Sequence, residues 1–362
     1  MRTDQKSFLS LRFWIRLLHW EYWPFQVIYF PVYPVWFWYC LKARSFFFFA
    51  AANPSIDNGG FLMESKKQID QLLPENLKPV TLFFRPGTAI KAVMEAIRLH
   101  GLEFPLIVKP DTGLQGIGVC KVDTPENLAG VIESYNINYI IQPFVAYPNE
   151  IGLFYIRYPN QPRGFISGIV KKEFLQLTGD GRHSMEELIR KNDRYILQLP
   201  VLKEMLGDRI QTILPAGVSE VLVPFGNHAR GSLFTDATDW KNESLEALFD
   251  EVCSSVRHFY YGRLDIRYHT LEELKQNKNW SIIELNGAGS EPTHMYDPRH
   301  SVFFAWKEII RHWKLLYEIS RENRARGARY LSLSDGLAMF RNFRLHRQKL
   351  QFLTRTLSQN RG

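Results

Sequence analysis

Cysteine is scarce in this chain of 362 residues: Cys40, Cys120 and Cys253 are the only three, at no regular spacing. An odd, scattered set makes neither a disulfide framework nor a zinc site, so a reducing compartment is the expected setting. Excess charge of one sign is also missing from most of the chain. Lys and Arg number 45 against 37 Asp and Glu, a net +8, yet the stretch from Arg321 to Gly362 alone holds ten basic and two acidic residues. The body before it is neutral on balance, and any acidic partner must be met by the tail. No RNP, KH or zinc pattern accompanies that tail, so a nucleic-acid partner is not expected. The composition, 45% hydrophobic and 23% charged, excludes wholesale disorder and collagen. The length allows two or three compact lobes.

What is abundant is aromatic and local. A third of the 51 Phe, Trp and Tyr lie between Phe13 and Phe49. From Tyr22 to Leu41 run twenty residues without a charge, YWPFQVIYFPVYPVWFWYCL. The length suits a membrane span, but Pro24, Pro31 and Pro34 interrupt a helix, and Trp and Tyr favour the headgroup level. Arg12 and Arg16 before it, and Lys42 and Arg44 after it, leave its orientation open. The segment is expected to lie in a membrane interface, the alternatives being a span or an apolar extension packed on the body. Ala50-Ala51-Ala52 resembles a cleavage site, but the apolar stretch is too long and too broken by proline for a signal peptide. Phe46–Phe49 suits membrane contact or a buried strand.

Beyond a loop around Gly59 and Gly60, helices are predicted over 64–73 and 89–100. FPLIVKPDTGLQGIGVCKV, residues 104–122, reads as a strand ending at Lys109, a loop of Gly113, Gly116 and Gly118, and a second strand holding Cys120 as a small buried residue. Such a hairpin offers backbone N–H groups and a lysine to phosphate oxygens. It is not a Walker loop, since no Gly-Lys-Ser/Thr and no helix follow. In 139–157, YIIQPFVAYPNEIGLFYIR, an apolar strand runs into Gln142, Phe144 and Val145, with Glu150 beyond. In 262–292, Asp265 stands between Leu264 and Ile266, and Glu284 and Asn286 share one face of a second strand. Asp, Glu and Asn oxygens around one point are hard ligands that suit magnesium.

Together these segments resemble the ATP-grasp superfamily. LTGDGRHSMEELI (177–189) and NHARGSLFTDATD (227–239) are similar to its cyanophycin synthetase and D-alanine–D-alanine ligase-like branch. The resemblance covers about residues 60–300 and implies an α/β (α+β) fold in which two α+β lobes clasp ATP. Three regions follow: an aromatic segment at 1–55, the ATP-grasp domain at 56–320 and a basic helical tail at 321–362. Carried over, the resemblance assigns Lys66, or less readily Lys67, and Lys109 to ATP phosphates, with Gly113, Gly116 and Gly118 as the lid. Gln142, Phe144 and Val145 would line the adenine and Glu150 would bind ribose. Lys171 or Lys172 would add a phosphate contact. Asp265, Glu284 and Asn286 would hold Mg2+, Arg263 would stabilise the phosphoryl group in flight, and Arg230 would bind substrate or phosphate. After Asn286, GAGSEPTHMYDP departs from the dipeptide ligases, so D-alanine is not carried over as substrate.

The chemistry implied is carboxylate activation by ATP. A carboxylate attacks the γ-phosphorus, giving acylphosphate and ADP, and an amine, or less often a thiol, displaces phosphate. An ATP-grasp kinase acting on a hydroxyl and a non-catalytic membrane adaptor are the alternatives. The expected location is the cytoplasm, at the inner face of the membrane, with an amphiphilic substrate. The tail would assist, laying Leu337, Phe340, Phe343, Leu350 and Leu353 into the interface. The residues name neither substrate and no oligomeric state.

Overall fold

A computed structural model describes residues 2–114 and 116–359. Its strands are β1 (Leu82–Phe84), β2 (Leu106–Pro110), β3 (Cys120–Val122), β4 (Tyr139–Pro143), β5 (Asn149–Ile156), β6 (Phe165–Glu173), β7 (Leu175–Thr178), β8 (Ser219–Val223), β9 (Leu233–Asp236), β10 (Tyr261–Tyr268) and β11 (Trp280–Asn286). Helices surround antiparallel pairings, so the fold is α+β. The chain divides into two compact units. One comprises Met1–Tyr33, Val170–Ala237 and Thr293–Ile309; the other comprises Pro34–Ile169, Thr238–Pro292 and Ile310–Gly362.

The second unit holds two sheets. The first has the order β1-β4-β2-β3. Its β2 and β3 form the expected hairpin, with Leu106 opposite Val122 and Val108 opposite Cys120. Cys120 is buried. Along β2, Leu106, Val108 and Pro110 face the core while Ile107 and Lys109 face the other way, as period two requires. Val93 and Ile97 of helix Ile90–Leu99, and Leu128 and Ile132 of helix Pro125–Glu133, fill that core. The helix expected over 64–73 is confined to Lys66–Asp70, capped by Ser65.

The second sheet of this unit runs β11-β10-β5 and then the opening residues of β6. One face lies under helix Glu243–Ser255: Tyr155 Oη donates to Asp250 (2.6 Å), and Phe249 meets Trp280 edge-on. The β10–β11 register places Asp265 opposite Glu284 and Arg263 opposite Asn286, then shifts so that Ile266 faces Ile282. Ile283 is the extra residue of a β-bulge.

The tail differs from its expected membrane role at its C-terminal end. In helix Leu333–Gln359, Leu350, Leu353 and Leu357 are buried in the core of the β1–β4 sheet. Their 3–4 spacing makes the stripe that a helix buries against a sheet. Leu337 and Phe340, nearer the start, stay exposed.

The aromatic segment is broken as its prolines dictate. Helices Phe25–Tyr29 and Tyr33–Ala43 are separated by the 3-10 turn Phe30–Val32, with Pro24, Pro31 and Pro34 at helix starts where a missing N–H costs nothing. No helix among the described residues is long and apolar enough to cross a membrane. Within the first unit, Ile28, Tyr29 and Val32 are buried, and the Trp20 and Trp306 indoles donate to His300 O (2.7 Å) and Ile28 O (2.8 Å). Glu21, also buried, is gripped by Arg194 (2.8 Å) and His228 (3.0 Å). In the second unit, Phe47, Phe48 and Phe49 are buried, around a 3-10 turn (Phe48–Ala51) rather than a strand.

Asn53, wholly buried, ties these parts of the second unit together. Its Nδ2 donates to Gly59 O (2.9 Å) and Tyr261 O (2.8 Å), and its Oδ1 accepts from Tyr260 N (2.9 Å) and Tyr261 N (3.0 Å). Gly59 and Gly60 then accept from Ala288 N (3.0 Å) and Gly289 N (2.8 Å), in the loop just after Asn286. The approach is so close that a Cβ on Gly60, at φ +74°, would stand 2.7 Å from Gly287 Cα. Asn53→Ala strands four buried backbone groups, and urea unfolding should show a loss of about 3 kcal/mol or more.

Candidate functional site

Strand pairing alone gathers four of the expected residues. Arg263 and Asp265 sit two apart on β10, Glu284 and Asn286 two apart on β11, and the register sets them side by side on the face away from helix Glu243–Ser255. Arg263 closes on Asp265 through Nε to Oδ1 (2.9 Å) and Nη2 to Oδ2 (3.2 Å). Asn286 Nδ2 is buried and has no hydrogen-bond partner. The bulge turns the Ile283 carbonyl toward Lys109, whose Nζ donates to it at 3.3 Å.

Lys66 comes to this face from the first turn of its helix, and its Nζ meets Glu284 Oε1 at 2.6 Å. Asp111, immediately after β2, fixes that turn. Its Oδ1 accepts from Ser65 Oγ (2.9 Å) and Lys67 N (2.9 Å), and its carbonyl accepts from Lys66 N (3.0 Å). Gly113 lies alongside, where a Cβ would stand 3.4 Å from Lys66 Nζ. Lys67 points elsewhere, over the Phe83 ring at 4.3 Å.

Lys66, Lys109, Gln142, Glu284 and Asn286 line one pocket of about 420 Å3, open to solvent, together with Glu64, Asp70 and Lys78. The charges perturb one another. Burial would raise the Glu284 carboxyl, but the Lys66 and Lys109 cations outweigh it and hold the group at about 2. Burial would lower Lys66, and the Glu284 partner keeps it raised instead. Lys109 has no such partner. Burial brings it down to about 8 against the pull of Glu284, with Lys66 adding repulsion. Burial also raises Glu64.

At the other end of the pocket, Gln142 Nε2 donates to Thr81 Oγ1 (2.7 Å), Thr81 to Asp70 Oδ1 (2.6 Å), and Lys78 Nζ to Asp70 Oδ2 (2.9 Å). Glu150 is not among the lining residues. Its carboxylate is buried on the Arg267 guanidinium (3.0 Å), its cross-strand neighbour. The carboxylate expected to bind ribose is thus neutralised by Arg267 in the ligand-free protein: a buried carboxylate needs a cation. Phe144 and Val145 also lie outside the lining, Phe144 between the cations of Lys121 (5.2 Å) and Arg267 (5.8 Å). Gly116 and Gly118 both have positive φ in the hairpin loop. Lys172 and Arg230 belong to the first unit. There Lys172 is buried against Phe234 (5.9 Å), Lys171 pairs with Glu173 (3.0 Å), and Arg230 closes a 3-10 turn before Gly231. Asp111, Thr81, Asp70 and Lys78 escaped the sequence reading. Ser65 before Lys66 was a capping signal for the first of them; the others are joined only by folding.

Residues 66–157 match the RimK-like ATP-grasp domain. No curated protein matches the chain in sequence. Among solved structures, a D-alanine–D-alanine ligase from Bacillus anthracis is 13% identical with a TM-score of 0.44, over 75% of this chain and 72% of its own. A D-Ala:D-Ser ligase from Enterococcus faecalis is 13% identical with a TM-score of 0.42, over 72% and 64%. A bifunctional glutathione synthetase from Pasteurella multocida is 17% identical with a TM-score of 0.37, over 67% and 35%. This chain thus spans about a third of the last and just under two thirds of the second. Overlaps of this size and identity carry no inference about substrate or activity.

The lowered Lys109 sets a pH dependence. Between about 8 and its ordinary 10.5 the unfolded chain holds a proton that the folded one has released, so the stability of the ligand-free protein rises with pH across that window. Lys109→Met should flatten the rise and increase the melting temperature at pH 7, as differential scanning calorimetry across pH 7–10 would show.

Proposed function

From the premise that residues 66–157 form an ATP-grasp domain, we propose that the protein is an ATP-dependent carboxylate–amine ligase working through an acylphosphate. The observation that carries this reading is the meeting of Lys66 and Lys109 with Glu284 and Asn286 in one pocket. Two lysines are matched to a polyphosphate. Their charges, balanced by Glu284 in the free protein, are available to phosphate oxygens when nucleotide enters. Gly113, Gly116 and Gly118 bring backbone N–H groups to the same end, and Gln142 meets the base at the other.

Asp265, Glu284 and Asn286 would hold Mg2+. Two carboxylates and an amide oxygen on neighbouring strands are a hard donor set, and the unpartnered Asn286 Nδ2 is a donor that a phosphate oxygen beside the metal would satisfy. The metal, when bound, would neutralise phosphate charge. Among the described residues no three His, Cys, Asp or Glu cluster as a metal site, and the proposed set takes Asn286 as its third donor. Arg263, anchored on Asp265, would meet charge on the transferred phosphoryl group. The substrate carboxylate would attack the γ-phosphorus as its bond to the β,γ-bridging oxygen breaks, and the amine nitrogen would then attack the acyl carbon and release phosphate. Among the described residues that line the pocket there is no Ser, Thr, Cys or His, which suits a reaction driven by positioning and charge.

The enzyme is further proposed to work at the inner face of the membrane on an amphiphilic substrate. Supporting this in the second unit, Phe37, Trp38, Leu41 and Phe46 are exposed beside Lys42 and Arg44. The start of helix Leu333–Gln359 is exposed too, with the Phe340 ring tilted 6.2 Å from that of Phe47 and Arg341 and Arg344 in solvent. In the first unit, Phe13, Trp14, Leu18 and Phe30 are likewise exposed.

ADP release assayed against panels of carboxylates and amines, with mass spectrometry of the product, tests the reaction: an amide supports it and a phosphoester points to a kinase. Glu284→Gln and Asp265→Asn should each lower turnover by about a hundredfold or more with the far-UV spectrum retained. For the membrane, the full chain should co-sediment with vesicles of phosphatidylglycerol and phosphatidylcholine. Trp38→Ser with Leu41→Ser should weaken that binding by roughly fivefold or more.

A further inference from the structure

The glycine hairpin is held from outside by the last helix of the chain. His346 Nε2 lies 2.7 Å from Thr112 O. A carbonyl only accepts, so Nε2 carries the proton and donates. At the far end of the same loop, Gly118 sits at φ +74° with Leu353 against it. A Cβ there would stand 2.9 Å from Leu353 Cδ2, and Tyr135 Oη donates to the Gly118 carbonyl from the opposite side. His346, Leu350, Leu353 and Leu357 recur every three or four residues, so one stripe of the helix both fills the hairpin core and touches both ends of the loop.

The contact at Thr112 has a chemical effect. Thr112 C=O and Gly113 N–H belong to one planar trans peptide and point in opposite directions. By taking the carbonyl toward the helix, His346 turns the Gly113 N–H away from it. Gly113 is the glycine that lies against the Lys66 ammonium. Helix Leu333–Gln359 also lies outside residues 66–157, which match the ATP-grasp domain.

We propose that the C-terminal helix is a positioning element of the nucleotide site, with His346 aiming the Gly113 amide and Leu353 seating Gly118. This rests on the reading that the hairpin binds ATP phosphates. The helix is then a requirement for nucleotide affinity, separate from any role at a membrane.

The test uses the full chain as wild type, His346→Ala and His346→Gln. The glutamine amide presents an N–H donor to the same carbonyl. Binding of a non-hydrolysable ATP analogue with Mg2+ is measured by calorimetry, and amide exchange at residues 112–118 by mass spectrometry without nucleotide. The alanine variant should bind the analogue about five- to tenfold more weakly, with faster exchange in the loop and an almost unchanged melting temperature. The glutamine variant should recover affinity to within about twofold. Wild-type affinity and exchange in His346→Ala would overturn the proposal, as would a glutamine variant no better than alanine. If the wild type binds no analogue, the ATP reading fails; the exchange data then decide alone whether His346 positions the loop.

Discussion

Like charges crowd one partly buried pocket, and the surrounding architecture holds them there. Lys66 and Lys109 cannot share it without a counter-charge, and Glu284, pressed to about 2, is that counter-charge. Each member arrives on a separately anchored element. Asp111 caps the turn that carries Lys66, period two on β2 aims Lys109 away from the core, and β11 presents Glu284 and Asn286. Asn53 and the Gly60–Gly287 approach lock the end of β11 to the loop leading into the Lys66 helix. A site of this kind trades stability for readiness: the free protein spends burial on charges that only an anionic ligand fully satisfies.

Much of this was legible in the sequence because strands encode position by parity. Glu284 and Asn286, two apart in one strand, shared a face before any register was known, and Lys109 stood at the end of its strand beside the glycine loop. What stayed hidden were relations between segments far apart in the chain. Nothing local to Glu150 announces Arg267, which lies opposite only because β5 and β10 pair. The chain of bonds from Gln142 through Thr81 to Asp70 likewise joins residues distant in sequence. Lys172 and Arg230, whose residue types suit phosphate, belong to the first unit.

The two ends of the chain show how one composition serves two purposes. Phe47–Phe49 reads as membrane-seeking yet fills a core, while Phe37, Trp38 and Leu41, a few residues earlier, face outward. The C-terminal helix divides similarly along its length, exposed and basic at its start and sealed by Leu350, Leu353 and Leu357 toward its end. Hydrophobicity alone does not separate these roles. The neighbours do, and those are set by where each helix begins.

The bulge at Ile283 sets the phase of β11. In WSIIELN the polar residues fall at 281, 284 and 286, a spacing of three and then two that no regular strand places on one face. The inserted residue resets the phase, so that Ser281 falls opposite Arg267 while Glu284 and Asn286 remain opposite Asp265 and Arg263. Removing Ile283 would leave a strictly alternating strand that keeps Ser281, Glu284 and Asn286 on one face and Trp280, Ile282 and Leu285 on the other, but it would take away the carbonyl that accepts from Lys109. The extra residue is therefore not what places the carboxylate and the amide: its contribution to the pocket is a main-chain oxygen for the Lys109 ammonium.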